Sequence, residues 1–399
     1  MREDIEQAIL RNENRPSVER LSNRALAVEV GCNESSVRRA RQRMIVSGRI
    51  KNDHGFDPFF GLPASAIQQR GRTVRLEDGS YEKVTYKPGA VEALAANRLG
   101  YEEVERVLDR VASPAFTPRP GPVDPAAPRT RVVCLSDFQV GKTDCRGGTP
   151  ELVGRVHCVL QRIAEDLASK GGVEELVVAD CGDVCEGFWN VASQAQTNDL
   201  SLTDQIRTAQ RLLAETIRLL APLCRRLLFV SVPSNHCQVR VKAGKGMRAN
   251  APDDDFGLLI ADTLQAICEG RDGLEHVRFV RPEKWEEALT VTTADGTGVG
   301  FCHGHTAGSE SNVPRWFAEM AFGHRSGLHD ARVLVHGHWH HAKFLTVGDG
   351  REVVGCPTMD SGSSWFANVS GQSEEPAVLT FGVVAGHVEG WRLWRAEPV

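Results

Sequence analysis

The feature that most constrains this chain is a short apolar run followed at once by a cluster of histidines. Residues 332–335, Arg-Val-Leu-Val, predict a buried strand, and histidines stand at positions 336, 338, 340 and 341. Side chains two positions apart in an extended chain point the same way, so His338 and His340 can face one pocket. Several imidazoles in one pocket are typical of a metal site. Because a single His-x-His pair is weak evidence, the other ligands must come from elsewhere in the chain.

Four other predicted strands end in the same kind of residue. From residue 131 onward, helices and strands alternate at first and strands dominate later, which favours a layered α/β sandwich. In open α/β sheets, ligands bind beyond the carboxyl ends of the strands. An Asp, Asn or His follows five predicted strands, in the segments 136–142, 182–187, 234–237, 302–305 and 337–341. One such residue alone is usually a turn or cap residue, but five in series indicate a single site.

These residues carry a resemblance to a known family. Their order resembles the signature of the calcineurin-like metallophosphoesterase superfamily, with the matching motifs Asp137-x-Gln139, Gly182-Asp183-x-x-Glu186, Asn235-His236, His303 and Gly337-His338-x-His340. The resemblance covers residues 131 to 394. It implies an α/β fold, a β-sandwich flanked by helices, with two metal ions at the strand ends.

The resemblance also implies a role for each matched residue. Asp137 and His340 would hold the first ion, with Gln139 in a ligand position; Asp183 would bridge both ions; Asn235, His303 and His338 would hold the second. His236 would act with Asp183 in catalysis as the proton donor. Glu186 would orient a ligand; the alternative for Glu186 is an ordinary surface carboxylate. Imidazole, carboxylate and amide ligands suit two divalent transition metals, Mn²⁺ first and Fe or Zn²⁺ next. Two such ions clamp a phosphate and activate water.

Two positions depart from the family pattern. The family usually has His where this chain has Gln139, and an uncharged amide oxygen is a weaker ligand, so the first ion should be exchangeable. The family usually has an acid after the Asn-His pair, where this chain has Cys237. His236 then needs another partner to orient its ring.

Residues 1–55 predict a small DNA-binding domain. Two helices, Asn23 to Val30 and Glu34 to about Ser47, flank a turn, and the spacing of Ala27, Gly31 and Val37 is that of a helix-turn-helix. The second helix carries side-chain types that contact phosphates and base edges: Ser35, Arg38, Arg39, Gln42 and Arg43. The stretch resembles winged helix-turn-helix domains, with a wing beginning near residue 48. The alternative is a small helical bundle with a solvated basic face.

The remaining regions link this head to the predicted catalytic domain. Residues 56–112 form a connecting region, in which the pattern predicts a hairpin (73–76 with 81–86) and a helix (90–111). Residues 113–130 hold six of the 19 prolines and predict a semi-rigid linker. Residues 131–399 are the predicted metallophosphoesterase domain.

Composition bears on the compartment and on the binding partners that the sequence predicts. Eleven cysteines with no Cys-x-x-Cys pair indicate reduced thiols and a cytoplasmic protein. The absence of an 18-residue apolar run argues against a membrane span. The net charge of −5 does not by itself favour nucleic acid, but residues 34–51 carry six basic residues against one acid, which does so locally. The oligomeric state stays open, and a homodimer is compatible with the sequence.

The function that the sequence predicts is hydrolysis of phosphodiester bonds by a two-metal enzyme, with DNA as the expected partner. The chain resembles the DNA-repair nucleases of the superfamily and phage-type members that place a helix-turn-helix ahead of the phosphoesterase. One alternative is a phosphomonoesterase or protein phosphatase on the same fold. The other is a DNA-binding protein whose phosphoesterase domain is degenerate and weakly active because of Gln139 and Cys237.

Overall fold

The computed structural model describes residues 2–13, 23–46, 50, 67–72, 82–86, 101–111, 128–190, 194–243, 246–269, 271–323, 327–364, 367–368, 371 and 375–396. The chain divides into two compact units, Met1–Ala95 and Ala96–Val399. None of the helices within these ranges is long and apolar enough to cross a lipid bilayer.

In its described part, the first unit contains three helices and a hairpin: α1 (Arg2–Glu13), α2 (Asn23–Val30), α3 (Glu34–Val46), β1 (Ile67–Arg72) and β2 (Glu82–Tyr86). Gly31 ends α2 in the left-handed region, with φ of 69°, and the Cys32 amide donates to the Ala27 carbonyl at 2.9 Å, a geometry that favours glycine. The Asn33 side chain accepts from the Ser36 amide at 2.9 Å and so caps α3. The three helices share one apolar core, which includes Ile9, Leu26, Val37, Ala40 and Met44.

Some predictions in this unit were displaced, and others fall outside the described residues. The first strand of the hairpin is Ile67–Arg72, earlier than predicted, and it pairs antiparallel with Glu82–Tyr86. The predicted strand 73–76, most of the predicted wing and the first part of the predicted helix 90–111 lie outside the described residues. The domain boundaries therefore stay a prediction.

The second unit holds six helices and thirteen strands in its described part. In chain order they are α4 (Tyr101–Val111), β3 (Thr130–Leu135), α5 (Thr149–Ser169), β4 (Val173–Asp180), α6 (Gln194–Thr197), α7 (Leu202–Leu220), β5 (Cys224–Ser231), β6 (Arg240–Ala243), β7 (Gly246–Ala249), α8 (Phe256–Cys268), β8 (Val277–Val280), β9 (Ala288–Thr292), β10 (Gly298–Cys302), α9 (Val313–Gly323), β11 (Val333–His336), β12 (Lys343–Val347), β13 (Arg351–Gly355), β14 (Ala377–Val384) and β15 (His387–Arg395). The short helices α6 and α9, the strand β13 and the hairpin β6–β7 were not predicted.

Two sheets form the centre of this unit. One has six strands in the order β15-β14-β3-β4-β5-β8, and the other has five in the order β12-β13-β11-β10-β9. Strands β3, β4 and β5 run parallel to one another, as do β10, β11 and β13. Because parallel strands bring their carboxyl ends to one edge, each sheet delivers three consecutive loops to the same place.

The core lies between the sheets and on both outer faces. Along β4, Val177 packs between the two sheets, whereas its neighbour Val178 packs on the outer face with residues of the helices, as the two-residue period of a strand requires. Strand β4 is buried on both sides, which explains its apolar run from Leu176 to Ala179. Helix α9 covers the five-stranded sheet through Trp316 and Phe317. These layers confirm the predicted α/β class, with two sheets flanked by helices.

Candidate metal centre

Six parallel strands deliver the polar side chains of the site. The loops after β3, β4 and β5 carry Asp137 with Gln139, Asp183 with Glu186, and Asn235 with His236; the loops after β10 and β11 carry His303, and His338 with His340. The sequence predicted all five. The sixth loop follows β13 and carries Asp360, which sequence reasoning missed because it did not predict β13.

Strained backbone is concentrated in these loops. Eight non-glycine residues in the described part of the chain have a positive φ, and five of them are predicted metal ligands: Asp137 (51°), Gln139 (47°), Asp183 (52°), His338 (70°) and His340 (61°). Each such residue costs about 1–3 kcal/mol and clusters of them are characteristic of functional sites. Hydrogen bonds between loops hold the geometry: the Asp137 amide donates to the Gly182 carbonyl at 3.0 Å, and the Gln139 amide to the Asp183 carbonyl at 2.9 Å.

A glycine lets the histidine loop approach the β3 loop. A Cβ atom at Gly337 would lie 2.8 Å from Asp137 Oδ2, which is too close for any other residue. The same carboxylate oxygen accepts the His338 amide at 3.1 Å. The glycine before the histidine pair is therefore required by packing.

Four side chains converge on one point, and we call Asp183, Asn235, His303 and His338 the Asp183 half of the site. His303 Nε2 lies 3.0 Å from Asp183 Oδ2 and 2.9 Å from Asn235 Oδ1. The ligand atoms of Asp183, His303 and His338 all lie within 4.8 Å of one another. This convergence is the geometry that a bound metal ion requires.

The hydrogen bonds of His303 show that this half needs positive charge. His303 Nδ1 donates its proton to the Cys181 carbonyl at 2.8 Å, so Nε2 of a neutral ring would direct a lone pair at two oxygen acceptors. Only a proton or a metal ion between them removes that repulsion. Without metal, burial alone would lower the pKa of His303, but the Asp183 carboxylate raises it to about 9. A divalent ion supplies the same positive charge, so the donor set fits a metal.

The pKa values of the other two titratable groups of this half, His338 and Asp183, agree with a metal site. Burial and the nearby His303 lower the pKa of His338 to about 4, which keeps its ring neutral and able to ligate. Burial would raise the pKa of Asp183, but the neighbouring His303 and His236 hold it well below its usual range. Once a metal ion takes the place of the Nε2 proton of His303, the half offers one anionic and three neutral ligands, which suits a transition metal better than Ca²⁺.

The remaining ligands lie in a differently charged environment, and we call Asp137, Gln139, Lys142, His340 and Asp360 the Gln139 half. His340 Nε2 lies 3.1 Å from Asp137 Oδ1, and its Nδ1 lies 3.7 Å from Asp360 Oδ2. Lys142 Nζ donates to Gln139 Oε1 at 2.7 Å and forms an ion pair with Asp360 Oδ2 at 2.5 Å.

The groups of this half are held in their charged forms. Burial would lower the pKa of Lys142, but Asp360 and Glu186 outweigh it and raise that pKa. Burial would raise the pKa of Asp360, but Lys142 and His340 hold it far below the usual range. The amide oxygen predicted to ligate the first ion is bonded to an ammonium group. This half, as its side chains stand, does not fit a second metal ion.

The predicted proton donor has an unexpected partner. His236 Nδ1 donates to the Glu186 carbonyl at 2.8 Å and lies 3.2 Å from Glu186 Oε2, while Nε2 is 3.9 Å from Asp183 Oδ2. Burial would lower the pKa of His236, but Asp183 and Glu186 raise it to about 9. Buried Glu186 thus orients His236, in place of the acid that Cys237 replaces.

Two further residues lie beside the site and were not among the predicted ligands. Gln194, at the start of α6, donates to Glu186 Oε1 at 3.0 Å and so fixes that carboxylate. His305 lies beside the Asp183 half, 5.5 Å from His303 between ring centroids, and burial lowers its pKa to about 3. The sequence did contain a signal for His305, the second histidine of a His-x-His pair, but no pattern marked Gln194.

The other two histidines of the cluster have separate partners. His336 is buried, and its Nδ1 lies 3.0 Å from the Gly337 carbonyl. His341 Nδ1 lies 3.4 Å from Glu310 Oε2. Only His338 and His340 of the four are among the contacts of the two halves described above.

The predicted DNA-binding residues all lie on α3. Arg39 and Arg43, one helical turn apart, are exposed. The side chains of Ser35, Arg38 and Gln42 lie outside what the structure describes. Binding of DNA by this helix stays a prediction.

Comparison with known proteins gives only distant similarity. No family model matches the chain, and no curated protein matches it. Among solved structures, Vps29 of Chaetomium thermophilum is 13% identical over 64% of this chain and 85% of its own, with a TM-score of 0.28. The sulfate thiohydrolase SoxB of Thermus thermophilus, in complex with glycerol, is 9% identical over 69% of this chain and 57% of its own, with a TM-score of 0.31. Similarity at this level identifies neither the family nor the function of this chain.

Proposed function

We propose that this chain is a metal-dependent phosphoesterase of the calcineurin-like superfamily and that it hydrolyses phosphodiester bonds, with DNA as its substrate. The observation that carries the proposal is the convergence of the Asp183 half on one point, with His236 Nε2 only 3.9 Å from Asp183. Ester hydrolysis needs a group that activates water and a group that protonates the leaving oxygen. A metal-ligand cluster beside a histidine able to carry a proton supplies both.

The Asp183 half supplies the ligands for the metal. Asp183 Oδ2, Asn235 Oδ1, His303 Nε2 and the His338 imidazole would hold a divalent ion, for which Mn²⁺ is the first candidate and Fe or Zn²⁺ the next. When bound, that ion supplies Lewis-acid polarisation of a phosphoryl oxygen and activation of water. The Cys181 carbonyl fixes the proton of His303 on Nδ1 and so keeps Nε2 free to ligate.

His236 is the proposed proton donor to the leaving group. Its Nδ1 is held by the carbonyl and the carboxylate of Glu186, which leaves Nε2 facing the site. A cation at Asp183 would cancel part of the attraction between Asp183 and His236, and the Glu186 contacts would then dominate in keeping the ring protonated. His236 would give its Nε2 proton to the departing oxygen.

The helices of the first unit support the DNA part of the proposal. A left-handed Gly31 joins α2 to α3, and α3 exposes Arg39 and Arg43 on one side. Arginine side chains one turn apart on a helix are suited to phosphate contacts.

The activity is tested with two chromogenic esters in the presence of Mn²⁺. We expect hydrolysis of bis-(p-nitrophenyl) phosphate to exceed that of p-nitrophenyl phosphate, and we expect a chelator to abolish it and added Mn²⁺ to restore it. A preference for the monoester would contradict the phosphodiester assignment and favour the phosphatase alternative. Bound metal with no hydrolysis of either ester would favour the alternative of a degenerate DNA-binding protein.

The DNA partner is tested on α3. The double variant Arg39→Ala with Arg43→Ala should weaken duplex binding and lower the slope of log affinity against log salt by about 1.8, since each phosphate contact contributes about 0.9. Arg11→Ala on α1 is the control, since Arg11 is also exposed. Hydrolysis of the small diester should not change. A salt slope equal to that of the unmodified protein would show that α3 is not the DNA reader.

A further inference from the structure

We propose that the Lys142 ammonium takes the place of one of the two cations, so that the site binds a single divalent ion, in the Asp183 half. This inference rests on the proposed function, because it concerns the same site. The sequence predicted an exchangeable first ion. In its place, the Lys142 side chain supplies the positive charge at that position.

The contacts of Lys142 carry the argument. An ammonium group has three donors and no acceptor, and Nζ directs its hydrogens at Gln139 Oε1 (2.7 Å) and Asp360 Oδ2 (2.5 Å). The Lys142 side chain is 15% exposed and that of Asp360 only 2%. Lys142 therefore bonds to the oxygen that a first metal ion would need from Gln139.

Asp360 is itself held by hydrogen bonds, so its carboxylate is already positioned to accept from the Lys142 ammonium. Asp360 Oδ1 accepts the Gly362 amide at 2.9 Å, and its own amide donates to Thr358 Oγ1 at 2.9 Å. Thr358 Oγ1 in turn donates to the Asp137 carbonyl at 2.8 Å. The β13 loop is thus bonded to the β3 loop and holds the carboxylate against Lys142.

The substitution at position 139 is consistent with this role. An ammonium donor needs an acceptor, and the amide oxygen of Gln139 provides one, whereas an imidazole bound to a metal has no lone pair left for a donor. A second divalent ion at Gln139 would also face the repulsion of a fixed positive charge within hydrogen-bond distance of its ligand. Gln139 and Lys142 are therefore matched to each other.

The charge balance of the site agrees with one ion. Asp137, Asp183, Asp360 and Glu186 are all buried carboxylates, and buried charges require compensation. One divalent ion, Lys142 and the proton carried by His236 together offset these four negative charges. Lys142 supplies charge and its one remaining donor for a phosphate oxygen but cannot activate water, so that task stays with the Asp183 half.

The test counts metal ions without substrate. The full chain is equilibrated with Mn²⁺, excess metal is removed, and bound Mn²⁺ is measured by mass spectrometry and by electron paramagnetic resonance, which distinguishes a lone ion from a coupled pair. We expect about one ion per chain in the unmodified protein and about two in Lys142→Met combined with Gln139→His, with the spectrum of a coupled pair. Lys170→Met, which removes an exposed ion-paired lysine, should leave the count unchanged.

The other outcomes also decide the question. Two ions of similar affinity in the unmodified protein would overturn this inference and leave the proposed function intact. No bound ion would overturn both. A count that stays at about one in the double variant would show that Lys142 does not exclude the second ion. Lys142→Gln, with circular dichroism as the check on folding, replaces Lys142→Met if the latter does not fold.

Discussion

The two halves of the site have similar ligands and different electrostatics. Each has an amide, a carboxylate and an imidazole at the carboxyl ends of parallel strands. In the Asp183 half, the amide oxygen of Asn235 faces an imidazole nitrogen at 2.9 Å. In the Gln139 half, the amide oxygen of Gln139 faces an ammonium at 2.7 Å. The comparison shows that ligand types and strand ends do not define a metal site unless the donors are free to bind a metal.

The backbone does not distinguish the halves. Left-handed residues occur in both, at Asp137, Gln139 and His340 in one and at Asp183 and His338 in the other. The fold therefore positions ligands for two ions, and the difference arises from two side chains, Lys142 and Asp360. Because the backbones of the two halves are alike and only their charges differ, substitution of single side chains is enough to test each half separately.

The largest effect is expected from Asp183→Asn. This change removes the anionic ligand, and loss of the several kcal/mol that a metal contributes corresponds to about a 1,000-fold fall in kcat/KM. Bound Mn²⁺ should fall with it. Asp272→Asn, in an exposed loop, should alter neither quantity. Retention of both metal and turnover in Asp183→Asn would show that the Asp183 half is not the metal centre.

The strands explain how much of the fold was predictable. Strand β4 contains a run of four apolar residues, from Leu176 to Ala179, which a reading by hydrophobic runs detects. Strand β13 (Arg351–Gly355) begins with two charged residues, Arg351 and Glu352. The run of apolar residues was too short to indicate a strand, and Asp360 was missed with it.

The site was predictable where its residues follow strands in sequence and not where contacts cross loops. The order of Asp, Asn and His identified every strand-end residue except Asp360. The pair of Lys142 with Asp360 joins positions 218 residues apart, and Gln194 reaches Glu186 from α6. Such contacts depend on the packing of loops, which the sequence of one chain does not encode in any local pattern.

The two amides provide a matched comparison. Asn235→Ala should weaken Mn²⁺ binding by about 100-fold, because it removes a ligand whose oxygen lies against His303. Gln139→Ala should change the Mn²⁺ affinity only a few-fold, because the Gln139 oxygen accepts a hydrogen bond from Lys142. Isothermal titration with Mn²⁺ measures both under the same conditions. Equal losses would show that the two halves bind metal alike and would remove the basis of the distinction.

The smallest effect is expected from Glu186→Gln, which acts on proton transfer beside the Asp183 half and not on metal binding. The Glu186 carboxylate is one of the groups that raise the pKa of His236, so its loss lowers that pKa. A proton donor is active below its pKa, and the fall of kcat with rising pH should therefore move to lower pH in the variant. We expect kcat near neutral pH to fall by about 10-fold, with KM and bound Mn²⁺ unchanged.

The control for this last comparison is Glu283→Gln, which removes an exposed carboxylate and should leave the pH profile unchanged. The backbone carbonyl of Glu186 still accepts from His236 Nδ1 in the variant, so the ring keeps its orientation and only the charge is lost. A fall in bound Mn²⁺ equal to the fall in kcat would place Glu186 among the groups that support the metal. An unshifted pH profile would show that His236 is not the proton donor, since His236 is the titratable group that lies 3.2 Å from the Glu186 carboxylate.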